Sequence, residues 1–95
     1  MEFEWDEDKA SINVEKHGID FLDARRIWQH PVLDPAGERF VGDEYRPTAL
    51  GIVGEDEIII AVVYTVRSGI IRLISARRAR RNERQIYQDR YGRGS

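Results

Sequence analysis

The sequence predicts an α+β fold of two layers, an antiparallel β-sheet with two N-terminal helices and one C-terminal helix. Three observations carry this. Helical patterning is confined to about residues 7–28 and to the last quarter of the chain. Between them lie β-branched runs, Thr48 to Val53, Ile58 to Val66 and Ile70 to Ile74. The links between those runs are short and turn-like, which makes the strands antiparallel. Helices grouped outside such a meander give α+β layers. The length, 95 residues, fits one domain, assigned to residues 1–91, with 92–95 as a flexible tail.

In chain order, Phe3 and Trp5 alternate with Glu4, reading as a short first strand with both aromatics inward. Asp6 is an N-cap, and Glu7 and Asp8 suit the positive end of the helix dipole. The first helix runs to about Lys16 with Ala10, Asn13, Val14 and His17 on its inward stripe, and Gly18 ends it. Asp20 caps a second helix whose apolar face is Phe21, Ala24, Ile27 and Trp28, stopped by Pro31. Val32 to Arg39 reads as a weak edge strand, interrupted by Pro35 and Gly37. Glu38 to Arg46 is polar and loop-like. Gly54 to Glu57 is a hairpin turn, and Ile58 to Val66 is the central strand. Arg67 to Gly69 is a second turn. In the last strand Ile71 and Leu73 face one way, and Ile70, Arg72 and Ile74 the other. Ser75 is placed as cap of a final helix over about 77–91, ended by Gly92.

The composition is 41% hydrophobic and 34% charged, which is globular. There is no cysteine, so disulfides and thiolate metal sites are excluded. No apolar run approaches the ~18 residues of a membrane span, and the acidic start lacks a signal-peptide core. A cytoplasmic protein with no membrane partner is expected. The charge is uneven. Residues 67–95 hold nine arginines and two acids, a net +7, whereas residues 1–66 carry −9. Such asymmetry suits a polyanion partner, and equally a solvated helix face.

There is no Gly-rich phosphate loop, no nucleophile elbow and no metal motif, since His17 and His30 are thirteen apart. Any catalysis would use Arg, Lys, His, Tyr or Glu, with no metal and no cofactor. The Lys16, His17, Gly18 corner offers a group that titrates near neutrality, or a histidine that merely closes its helix. On the expected final helix, Arg77, Arg80 or Arg81, and Arg84 share a face, with Ala79, Ile86 and Tyr87 toward the sheet. Glu83 is placed to accept the Tyr87 hydroxyl or to pair with an arginine. Arg67 and Arg72 extend the basic surface, and Tyr64 could stack on a base or pack. Such a set suffices for metal-free RNA cleavage by 2′-OH attack, and also for plain nucleic-acid binding.

Phe3 to Asp6, Lys9, Asn13, Lys16 to Gly18, and Asp20 with Phe21 resemble the start of the BrnT family of type II toxins. Ile70 to Arg77, Ala79, Glu83, Arg84 and Tyr87 resemble that family's C-terminal signature. Of the family's polar middle segment, only Glu44 and Arg46 match. The resemblance implies a RelE-like ribonuclease fold and a metal-independent endoribonuclease that inhibits translation. It implies a cognate BrnA-like antitoxin in a hetero-oligomer that represses its own operon, touching operator DNA only through the antitoxin. Within that frame His17 is the acid/base or a positioning group. Lys16, Arg67 and Arg77 contact phosphate, and Glu83 and Tyr87 orient the site. Arg72, Arg78, Arg80, Arg81, Arg84 and Tyr64 bind RNA. The alternative is a non-catalytic module that binds nucleic acid or protein. The antitoxin contact is expected over Arg77 to Tyr87 and the facing sheet.

Overall fold

A five-stranded sheet organises the protein in the computed structural model, which describes all 95 residues. The elements are β1 (Phe3–Glu4), α1 (Glu7–His17), α2 (Phe21–Ala24) continuing as a 3₁₀ segment (Arg25–Gln29), β2 (Leu33–Val41), β3 (Glu44–Val53), β4 (Ile58–Arg67), β5 (Ile70–Arg78) and α3 (Arg81–Tyr91). Strand order is β1-β5-β4-β3-β2. The sheet is mostly antiparallel; β1 alone runs parallel to its neighbour, β5, because α1 and α2 lie between it and the meander in sequence.

The two faces follow from strand alternation. One face carries Ala49, Ile60, Val62, Leu73 and Ala76, and packs on Phe21, Ala24 and Ile27. The other carries Leu50, Ile52, Ile59 and Ala61, and packs on Ala79 and on Tyr87 of α3. Helices therefore cover both faces, which differs from the two-layer expectation: adjacent residues of one strand bury in opposite directions. Each fully buried Ile or Leu contributes about 2 kcal/mol of apolar transfer. Gly51 lets the 3₁₀ segment approach β3, since a Cβ there would lie 2.5 Å from the Ile27 Cβ.

Local chemistry sets the boundaries. The Asp6 carboxylate accepts from the Asp8 and Lys9 amides, and Gly18 closes α1 at φ 70°. Ser68 and Gly69 both take positive φ in the tight β4–β5 turn, as a two-residue hairpin requires. Three sequence expectations need correction. Glu38 to Arg46 is a β2–β3 hairpin turning at Gly42, not a loop, with Phe40 opposite Tyr45 and Arg39 opposite Arg46. It reads as a loop because these arms stand beyond the core, with both faces wet. The last strand continues through Arg78, since Arg77 and Arg78 pair with Ala61 and Ile60. The final helix therefore starts at Arg81, capped at Arg80 rather than Ser75.

The third correction concerns α1. Of its expected inward stripe only Asn13 is buried, and Val14 and His17 are exposed. The helix lies along the edge of β5 beyond the short β1. There Asn13 substitutes for a strand. Its Nδ2 donates to the carbonyls of Ala76 and Ile19, both at 2.9 Å, and its Oδ1 accepts from the Ala76 amide at 3.1 Å. At the other end, Gly92 closes α3 at φ 66°. In residues 92–95 the Ser95 amide donates to the Glu57 carbonyl at 2.7 Å, the Ile59 amide donates to the Ser95 carbonyl, and Arg93 pairs with Glu57.

Candidate functional site

The α3 face of the sheet is covered by that helix at one end and open over the rest. The open part carries arginines from three strands. Arg67 and Arg72 belong to it by alternation, sharing a side with Thr65. Arg46 belongs to it too, and its partner across the hairpin, Arg39, lies beside it. Arg77 joins them through an irregularity. Arg72 and Arg77 are five residues apart, so a regular strand would aim them at opposite faces. The register slips by one between Val63/Ser75 and Tyr64/Leu73, which leaves Ile74 as a bulged residue in β5. The bulge brings both arginines to one face.

Each of these strand arginines except Arg39 is held by a carboxylate. Arg72 donates to Glu4 at 2.6 Å. Arg77 makes a two-pronged pair with Glu83 of α3, at 2.7 and 3.0 Å. Glu83 also accepts from the Arg80 amide at 2.7 Å, so one carboxylate caps α3 and fixes Arg77. The Arg77 guanidinium holds Glu83 below the usual carboxylate range, and Glu83 raises Arg77 in return. The folded state therefore favours ionised Glu83. Its contribution is present above about 4.5, the ordinary Glu value, and is lost as pH falls through the lowered folded value. We expect the wild type to lose urea resistance below that point. Glu83→Gln should be less stable at neutral pH and should lose part of this acid slope, checked by urea midpoints against pH.

The third pair is a triad. Glu44 accepts from Arg46 at 2.9 Å and from two nitrogens of Arg67, at 3.0 and 2.8 Å. Hydrogen bonds from Arg67 first, and then Arg46, lower its pKa. Glu44 is thus an ionised carboxylate clasped by two guanidiniums at the surface. The sequence could signal Glu44 and Arg46 only loosely. Their tie to Arg67, 23 residues on from Glu44, exists only through sheet register.

The other expected site residues fall into three places. His17 and Arg78 line a hollow of about 320 Å³ on the opposite side of the sheet, together with Asp23. Lys16 neighbours it, exposed. Arg80 and Arg81 follow at the start of α3, and with Arg78 they are exposed cations outside the carboxylate pairs. Arg84 donates to the Ala79 carbonyl at 2.7 Å. The expected arginine face of a helix from 77 is therefore split: Arg77 and Arg78 are strand residues aimed oppositely, and only Arg81 and Arg84 lie on the helix. Ile86, expected toward the sheet, is half exposed because α3 is tilted onto Tyr87 and Tyr91. Tyr87 is fully buried and its hydroxyl donates to the Pro31 carbonyl at 2.6 Å, not to Glu83. It ties α3 to the chain entering β2, and burial raises its pKa.

Arg67 and Arg77 do not meet. Their β4 positions are six residues apart, Arg67 itself and Ala61, which is ~20 Å along the strand. They can serve one extended polyanion but not one phosphate. Tyr64 lies on the helix-covered side, edge-on to Trp28 at 5.3 Å, with its hydroxyl donated to Asp34. Burial, and then Asp34, push its pKa far up.

A row of arginines aligned by carboxylates has the chemistry to hold a phosphodiester chain, and a clasped carboxylate beside it has the chemistry of a base. No helix here is long and apolar enough to cross a membrane. No curated protein matches the chain. A family profile does: that of the ribonuclease toxin, BrnT, of type II toxin–antitoxin systems, over residues 5–83. The match runs from Trp5, just past β1, to the Glu83 that holds Arg77, and with it the chain belongs to the BrnT family of ribonuclease toxins.

Proposed function

We propose that this protein is a metal-independent endoribonuclease of RelE-like fold that cuts RNA on the open sheet face and so inhibits translation. The observation that carries this is Glu44, held ionised between Arg46 and Arg67 on the face that also presents Arg72 and Arg77. In this reading Glu44 takes the proton of a ribose 2′-OH, and the 2′-oxygen bonds to the adjacent phosphorus. The bond from phosphorus to the 5′-oxygen breaks, and water protonates the leaving oxygen. The products end in a 2′,3′-cyclic phosphate and a 5′-hydroxyl. The Arg46 and Arg67 guanidiniums offset the charge that develops on the phosphoryl oxygens. Arg72 and Arg77 hold neighbouring phosphates, and Glu83 fixes the aim of Arg77. Lys16, His17, Arg78, Arg80 and Arg81 grip flanking RNA around the end of β5, with His17 as a positioning group. Tyr87 and Arg84 secure α3.

A cognate BrnA-like antitoxin neutralises the protein by covering Arg77 to Tyr87 and the sheet facing them. The same field attracts both partners, so the surface RNA needs is the surface an acidic antitoxin segment covers. The hetero-oligomer represses its own operon, with operator DNA held by the antitoxin. The test is cleavage of a defined RNA by the purified protein with and without EDTA. We expect equal cleavage in both, with cyclic-phosphate ends. Arg77→Ala and His17→Ala should raise KM more than they lower kcat. RNA left intact under every condition, but still bound in a salt-dependent way, would replace this reading with a non-catalytic binding module.

A further inference from the structure

The β3–β4 ladder ends at Thr48 opposite Val63, although β3 begins at Glu44 and β4 runs to Arg67. The backbone explains the gap. The Ala79 amide donates to the Ile59 carbonyl on the β5 side, so odd residues of β4 bond toward β5 and even ones toward β3. Continuing the register places Tyr64 opposite Pro47, which has no N–H to give. From there the β2–β3 and β4–β5 hairpins part. Side chains bridge the opening: Thr65 Oγ1 donates to the Tyr45 carbonyl at 2.9 Å, and Arg67 reaches Glu44. A cleft of about 480 Å³ results, bounded by Tyr45, Pro47, Tyr64 and Val66, with Asp43 and Glu44 as its carboxylates.

We propose that this cleft seats an unpaired nucleobase of the RNA and prefers one bearing an exocyclic amino group. The proposal rests on the RNA-cleaving reading above: the cleft opens toward the helix-covered side, and Glu44, which lines it, joins it through the gap between the hairpins to the triad that would act on the ribose. Three features support it. The cleft has room for a nucleobase, and its flat apolar walls suit stacking. The tyrosine hydroxyls are already donated, Tyr64 to Asp34 and Tyr45 to Glu38, which leaves their rings as the recognising surface. The charged groups lining the cleft are acceptors only. An amino group on cytosine, adenine or guanine donates to such a carboxylate, whereas the uracil carbonyl in the same place meets it acceptor to acceptor.

Cytosine and uracil differ at that group and hardly in shape, so the test compares oligo(C) and oligo(U) of equal length. Binding to the full chain is followed by the fluorescence of Trp28, which touches Tyr64. We expect oligo(C) to bind about tenfold tighter, the worth of one hydrogen bond to a charged group. Asp43→Asn should erase the preference. Pro47→Thr, which returns the N–H and closes the ladder, should weaken oligo(C) to the oligo(U) level and leave oligo(U) unchanged. Equal binding of the two oligomers, or a preference that survives Pro47→Thr in a chain with unaltered circular dichroism, overturns the proposal. Cleavage of mixed-sequence RNA is run in parallel. Cleavage without base preference defeats the cleft alone, and absence of both cleavage and binding defeats the reading beneath it.

Discussion

Glu44→Gln should lower the rate of RNA cleavage by about 10²- to 10⁴-fold, the range of a removed general base. The amide keeps the size of the carboxylate but takes no proton at neutral pH. Glu44 is at the surface and its loss leaves no buried group unpaired, so the thermal midpoint should move little. That separates a chemical role from a structural one. The pH profile separates it from the other candidate. Because Arg67 and Arg46 lower the Glu44 pKa, the wild-type rate should persist below the ordinary Glu value of 4.5 before falling. A rate that fell through the neutral range would assign proton transfer to an imidazole instead. Arg67→Lys should also lose activity, because a lysine lacks the planar fork that places two N–H donors on one oxygen of Glu44.

Asn13→Ala should cost roughly 3 kcal/mol of stability, a large fraction of the total for a small domain. Asn13 is 5% exposed and makes three hydrogen bonds to backbone. Alanine would strand the Ala76 amide and carbonyl and the Ile19 carbonyl, with no strand on that edge to replace them. The size of the effect lies in that orphaning rather than in lost attraction. Asn13→Asp makes the check sharper. The carboxylate can still accept from the Ala76 amide, but faces two carbonyls as a second acceptor, so it too should destabilise. Urea denaturation measures both. An Asp variant as stable as the parent would mean that the donor side of Asn13 contributes nothing.

The parts of this fold legible in the sequence are those where local chemistry and tertiary structure agree. Asp6 and Gly18 bound α1, and the β-branched run from Ile58 became the middle strand. The illegible parts are those where tertiary pairing overrides local signal. Arg77 and Arg78 read as helix, since arginine favours helices, yet pairing with β4 keeps them extended. Helical spacing turned Val14 and His17 inward with Asn13, but α1 rests on a single strand edge, which buries only one of the three. At the site, Glu83 near Arg77 is visible as a six-residue spacing. The Glu44–Arg67 contact is not, because nothing local fixes which residues of β3 and β4 stand opposite each other once Pro47 has ended the ladder.

The extra residue at Ile74 makes one deletion in β5 different from all others. In a regular strand, losing one residue turns every side chain beyond it to the reverse side. Here the strand already carries one such reversal, so removal of Ile74 would leave Arg72 and Arg77 four residues apart on one face of a regular strand, with Ala76 still opposite Val62 in the core. An insertion or deletion elsewhere in β5 would instead put Arg72 and Arg77 on opposite faces or shift one of them out of register with β4. Anyone transplanting this arginine face onto another scaffold must carry the irregularity or leave out one residue, because the arginines copied at their native spacing onto an ideal strand would land on two sides of the sheet.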